Sequence, residues 1–121
     1  SSVLNDTGKR LAASRVLVLG IAYKRDVEDL RESPAIEIIE LLREHKAEVD
    51  YVDPYIPIIT LKEEVLTAVT LDEERVCGAD CVVILTDHSV FDYAAIVRAA
   101  SLVVDTRNAT AGIMEPHIMR L

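Results

Sequence analysis

The stretch Arg15-Val16-Leu17-Val18-Leu19-Gly20-Ile21-Ala22-Tyr23-Lys24-Arg25-Asp26-Val27-Glu28-Asp29-Leu30-Arg31-Glu32-Ser33-Pro34 decides the fold. It opens with Val16 to Leu19, an unbroken apolar run of the kind that suits a parallel strand buried on both faces. Gly20 ends the run. Ser33-Pro34 predicts a helix start, because Ser caps the first free N–H groups and Pro tolerates the first helical position. About a dozen residues separate strand from helix, where such loops usually hold roughly 2–6. A long polar loop at the carboxyl end of a buried parallel strand is where open α/β sheets bind ligands. This one carries Lys24, Arg25 and Arg31, which favours an anionic ligand. The competing reading pairs Lys24 and Arg31 with Asp26, Glu28 and Asp29 as a surface network.

Outward from that stretch, Ala35 to His45 reads as a helix with Ala35, Ile36, Ile38, Ile39, Leu41 and Leu42 on its apolar face. Glu48 to Val52 alternates as a strand and Asp53-Pro54 stops it. Strand, helix, strand predicts one right-handed βαβ unit. Tyr55 to Thr70 is ambiguous: Lys62 to Ala68 suits a short helix or a loop, leading to an edge strand at Ala68 to Thr70. Leu71 to Gly78 predicts a helix with acids at its start. Cys81 to Leu85 is a second continuous apolar run and predicts a central strand. Phe91 to Ala100 predicts a helix with Phe91, Ala94, Ala95 and Val97 inward, and Ser101 to Val104 the next strand. The tail from Gly112 is read as a last short helix.

Three polar loops thus leave strands on one sheet edge: the long first loop, Thr86-Asp87-His88-Ser89, and Asp105-Thr106-Arg107-Asn108. The fold class is α/β, a three-layer Rossmann-like open parallel sheet flanked by helices. Residues 1–13 read as a connector from an upstream region and 14–121 as one domain. The absence of an initial Met suits a segment of a longer chain.

Composition narrows the partners. A chain of 121 residues supports a single core, and half of its residues are apolar. The formal net charge is −8, yet residues 1–31 carry +2 and residues 32–121 carry −10. An acidic bulk argues against a nucleic-acid duplex or a phospholipid surface, and a small basic patch suits a discrete phosphate-bearing ligand. Aromatic residues are too few for a base-stacking platform. No apolar run is long enough for a membrane span. Cys77 and Cys81 lack metal or redox spacing and read as buried thiols of a cytosolic protein.

Gly20 stands alone where a dinucleotide loop would need G-x-G-x-x-G, and no Walker loop occurs. Lys24 and Arg31 remain able to bind phosphate with help from the helix start at Pro34. No catalytic set or metal set emerges. His88 reads as a loop or cap residue more readily than a base, and Asp87 and Asp105 as caps or turn formers. Tyr23 and Tyr55 suit either core packing or flanking a base or sugar.

The motif G-I-A-Y-K-R-D-V-E-D-L-R-E-S-P, followed by E-V-D-Y-V-D-P-Y-I-P and then D-T-R-N, resembles the C-terminal domain of the nucleotide-sugar dehydrogenases, the UDP-glucose/GDP-mannose dehydrogenase family. Ala22-Tyr23-Lys24 with Asp29-Leu30-Arg31 is most similar to the branch oxidising UDP-N-acetylhexosamines. The resemblance implies a UDP-sugar-binding domain of an NAD-dependent 6-dehydrogenase of polysaccharide biosynthesis. An N-terminal NAD-binding domain and a central dimerising region would complete a homo-oligomeric enzyme. It places Tyr23, Lys24 and Arg107 at the sugar nucleotide and Arg31 toward the cofactor. The family's catalytic cysteine belongs to the central region, so neither Cys77 nor Cys81 inherits it and the fragment alone is expected to be inactive. The alternatives are a non-catalytic ligand-binding or regulatory module and a structural dimerising domain. A receiver-like module would need an acidic cluster after the first strand, where Gly20-Ile21-Ala22 stands.

Overall fold

The computed structural model describes residues 12–121; the expected connector over 1–13 lies almost wholly outside them. Among the described residues, β1 (Arg15–Leu19) pairs in parallel with β2 (Glu48–Val52) on one side and β5 (Cys81–Ile84) on the other. The sheet continues through β6 (Val103–Asp105) to β7 (Ile118–Arg120), again in parallel, in the order β2-β1-β5-β6-β7. Helix α1 (Ala35–Glu44) joins β1 to β2; α2 (Glu73–Gly78) and α3 (Tyr93–Ala99) flank β5 in the chain.

The central place of β1 explains its unbroken apolar run. Val16 and Val18 face one core with Ala35 and Ile39 of α1, while Leu17 and Leu19 face a second core with Val76 of α2 and Ile96 and Val97 of α3. Alternate side chains of a strand point to opposite faces, so a strand covered on both sides must be apolar throughout. The three-layer Rossmann-like sheet read from the sequence is the fold observed. The chain winds outward from β1 to β2, then crosses back to β5 on the other side of β1. The winding therefore reverses between β1 and β5, and a crevice at their carboxyl ends is the expected ligand site of such a sheet.

Four local expectations are corrected. The tail forms no helix: Pro116 biases the residue before it away from helical dihedrals, Gly112 turns the chain at φ +85, and Ile118–Arg120 pairs with the open edge of β6. The ambiguous segment is an antiparallel hairpin of β3 (Ile58–Thr60) and β4 (Val65–Thr67), not a helix, loop or strand at 68–70. Three-residue strands are too short to announce a period of two. Cys77 is exposed, because α2 turns Val76 inward and its sequence neighbour therefore outward; Cys81 is half-buried. Burial pushes the Cys81 thiol up to about 11, away from nucleophilic use. Leu41 and Ala94, expected on apolar faces, are exposed.

Candidate functional site

The first loop leaves the sheet at Gly20, whose φ is +77 and whose N–H donates to Val52 O at 2.8 Å. A Cβ there would lie 2.4 Å from Thr86 O. Only glycine permits both the left-handed turn and the close approach of the β1 and β5 ends. The next two amides turn onto one side chain. Asp53 Oδ2 accepts from the N–H of Ile21 at 2.8 Å and of Ala22 at 3.2 Å, and its Oδ1 accepts from Tyr55 N–H at 2.8 Å. In a dinucleotide loop, amides at this place face a pyrophosphate. Here they face a built-in carboxylate, which is the physical counterpart of the missing glycines.

Farther along, the loop is stitched to the one that follows β5. Arg25 pairs with Asp87, its Nε donating at 3.1 Å, and this bond raises the guanidinium pKa further. Asp26 accepts from the N–H and hydroxyl of Ser89 at 2.8 and 2.6 Å, which hold its carboxyl below the ordinary range. His88, fully buried, lies between Asp26 N–H at 2.8 Å from Nδ1 and Asp53 Oδ2 at 2.9 Å from Nε2. The rings of Tyr55 and Phe91 pack around it.

The loop after β6 is organised by Asp105, also fully buried. Its Oδ1 accepts from Arg107 and Ala109 amides, and its Oδ2 from the amide and hydroxyl of Thr110. Burial pushes this carboxyl upward, but the hydrogen bonds led by Thr110 outweigh it and hold the pKa low. Arg107 then spans the edge: Nε donates to Leu85 O and Nη2 to Tyr23 O, both at 2.9 Å. Tyr23 is pinned on its other side too, its N–H donating to Asp29 O at 2.7 Å. Ser33 closes the arrangement, donating to Ile21 O at 2.7 Å and accepting from Ala35 N–H at 3.2 Å. Ser33 thus meets the first N–H of α1 as expected, although Pro34 stands just ahead of the helix and not at its first position, and the hydroxyl is also tied to the loop.

These contacts border a cavity of about 300 Å³ at the winding reversal, lined by Ala22, Tyr23, Ser33, Pro34, Ala35, Ile38, Leu85, Thr106 and Arg107. A larger groove of about 690 Å³ lies between α1, β2 and the hairpin, but carboxylates outnumber cations in its lining, which disfavours an anion. Of the residues singled out from the sequence, Tyr23 and Arg107 meet in the cavity. Lys24 is exposed beside Tyr23 and is not in the lining. Arg31 stands apart as well, its side chain 89% exposed and forked onto Asp29 at 3.0 and 3.1 Å. That bond raises the Arg31 pKa and lowers that of Asp29. The competing surface pairing therefore describes Arg31 in this structure. Tyr55 packs on His88 instead of facing Tyr23 across a ligand.

Sequence reasoning missed Asp53 and His88. In the sequence Asp53 reads as the end of a strand and as part of the D-P-Y motif with no role of its own, and His88 as an isolated loop histidine; neither has a sequence neighbour that betrays the partners supplied by the first loop.

A cavity at the reversal of a doubly wound sheet, bordered by Arg107 and lacking a dinucleotide loop, is the ligand crevice of an open α/β module. Its sequence matches the model of the UDP-glucose/GDP-mannose dehydrogenase family, UDP binding domain, over residues 17–112, and the chain belongs to that family. It is 36% identical over 92 residues to a UDP-N-acetyl-D-mannosamine dehydrogenase of Methanococcus maripaludis, covering 75% of this chain and 20% of the relative. It is 38% identical over 86 residues to the enzyme of the same name from Escherichia coli K12, covering 70% of this chain and 20% of the relative. The chain thus spans about a fifth of the length of the curated relatives it matches. A solved UDP-D-ManNAc dehydrogenase from Pyrococcus horikoshii superposes with a TM-score of 0.68 at 28% identity, covering 98% of this chain and 28% of that one. A UDP-N-acetyl-mannosamine dehydrogenase from Staphylococcus aureus gives 0.67 at 29% identity, covering 98% and 29%.

Proposed function

We propose that this chain is the UDP-sugar-binding part of an NAD-dependent nucleotide-sugar 6-dehydrogenase, acting on a UDP-N-acetylhexosamine and completed by NAD-binding and central domains. The observation that supports this reading is the cleft at the β1/β5 reversal, where Tyr23 and Arg107 meet the start of α1. Tyr23 and Lys24 serve the sugar nucleotide. Arg107 acts as a strut, holding Leu85 and Tyr23 carbonyls with two of its five N–H donors and leaving three to offer phosphate. Arg31, outside the cleft, serves the cofactor held mainly by the missing domain. The sugar's oxidation needs a nucleophile and a dinucleotide loop that the described residues do not supply.

Calorimetric titration of the 121-residue chain with UDP and UDP-N-acetylmannosamine tests the assignment. Lys24→Ala and Arg107→Ala should each weaken UDP binding about ten- to a hundredfold, the worth of a charge-assisted hydrogen bond. Arg31→Ala should leave it unchanged, and in the complete enzyme raise the NAD requirement. Added NAD and UDP-sugar should yield no NADH from the isolated chain. Equal, small effects of Lys24→Ala and Arg31→Ala would reduce both to a solvated surface pair and end this reading.

A further inference from the structure

Resting on that binding reading, we propose that His88 is the positioning residue of the ligand loop: a neutral imidazole, its ring proton on Nε2, ties the Asp26 amide to Asp53 and so fixes the segment that carries Tyr23 and Lys24. A backbone N–H can only donate, so Nδ1, 2.8 Å from Asp26 N, presents a lone pair. The carboxylate oxygen of Asp53, 2.9 Å from Nε2, already accepts from Ile21 and Ala22 and takes the ring proton as a further donor. The opposite tautomer would set N–H against N–H on one side and a lone pair against a carboxylate on the other. Both neighbours therefore impose one proton arrangement on a ring that is fully buried.

The consequence is a continuous line of hydrogen bonds across the mouth of the loop. Asp53 holds residues 21 and 22 directly, and holds residue 26 through His88. Tyr23, Lys24 and Arg25 lie between these two anchors. Asp26 adopts φ 59, a left-handed conformation that Asp reaches more readily than most residues but that still calls for support from its surroundings. The His88 bond to its amide and the Ser89 bonds to its carboxylate supply that support. Imidazole alone offers an acceptor and a donor at the two required places. Asn supplies an amide oxygen at about the place of Nδ1, and Gln an amide nitrogen at about that of Nε2.

The test compares His88→Asn with His88→Gln by amide hydrogen exchange and UDP titration, beside nitrogen-15 NMR of the unaltered chain. Both variants should melt lower. His88→Asn keeps the acceptor for Asp26 but gives up the donor to Asp53, so it should speed Asp26 exchange and weaken UDP binding by a smaller amount, about threefold. His88→Gln should speed Asp26 exchange and weaken UDP binding by about tenfold or more, the usual worth of a lost buried bond. Losses of equal size in both variants would overturn the assignment and leave His88 a packing residue. If neither variant folds, the NMR spectrum decides alone, since a proton on Nδ1 contradicts the proposal. Should the unaltered chain not bind UDP, the function proposed above falls, while the exchange data still judge His88.

Discussion

The loops at the carboxyl edge and the β3–β4 hairpin are both excursions from the sheet, yet they are held by different means. The hairpin satisfies its own backbone through paired strands, Ile58 to Thr67 and Thr60 to Val65, with Ile59 as the buried side chain within those strands. It meets α1 through the partly exposed Arg43–Glu64 ion pair, a Lys62 N–H bond to Glu40, and the packing of Ile59 and Leu61 into the core that holds Ala35 and Ile39. The edge loops have no ladder. Their amides are met by buried polar side chains, Asp53, His88 and Asp105, and the described residues hold no buried side-chain nitrogen or oxygen without a partner. A loop without a paired strand leaves its backbone amides without a ladder, so they have to be satisfied from elsewhere in the molecule. Damage to the two regions should therefore differ in size.

The largest effect is expected at Asp53. Asp53→Ala orphans the amides of Ile21, Ala22 and Tyr55 and the His88 ring N–H. Each stranded buried donor costs about 1–3 kcal/mol before relaxation, so a loss on the order of 4 kcal/mol is expected in urea unfolding. A cost under about 1 kcal/mol would erase the contrast with the hairpin, because surface pairs cost as much.

Asp105→Ala should come next, at roughly 2–3 kcal/mol near neutral pH, for the same reason. Its sign with pH sharpens the comparison. The folded carboxyl titrates below its ordinary value of 3.8, so its contribution is present above that value and lost as pH falls through the folded one. The gap between the variant and the unaltered chain should hold from neutral pH down to about 5, where an ordinary carboxyl begins to take up protons, and shrink progressively below that. A gap independent of pH would detach the stability from the carboxylate.

Ser33→Ala should cost about 1 kcal/mol, typical of a lost helix cap. The excess over a simple cap would measure the added tie to Ile21 O. Smallest of all, Arg43→Ala should change stability by less than about 0.5 kcal/mol, since partly exposed ion pairs are weak. An Arg43→Ala cost larger than that of Ser33→Ala would show that the exposed ion pair, and not the packing of Ile59 and Leu61, holds the hairpin to α1.

The sequence was most legible where a residue's role is local or periodic. The apolar runs of β1 and β5, the amphipathic α1, the Ser-Pro start and the lone Gly20 were all readable, because strand burial, helical spacing and turn strain write themselves into adjacent residues. Three of the loops that converge were placed on one edge by strand order alone. Less legible were short elements completed by a distant partner. β7 exists because β6 had an edge to offer, and β3 because β4 folds back on it. The ligand loop's chemistry divided in the same way. Tyr23 and Arg107 were identified through family motifs and do meet in the cleft, whereas Arg31 turns to Asp29 and solvent.

By itself, then, the sequence determined the α/β architecture, the family and the edge of the sheet on which the polar loops converge. Tertiary structure alone decided that Asp53 occupies the amides a pyrophosphate would otherwise meet, that His88 bridges Asp53 to Asp26, and that Arg107 braces Tyr23. These contacts join residues 31 to 84 positions apart. Hydropathy and spacing record what a residue's neighbours along the chain require. A hydrogen bond between two loops depends on where the sheet brings their ends, and only the folded chain sets that distance.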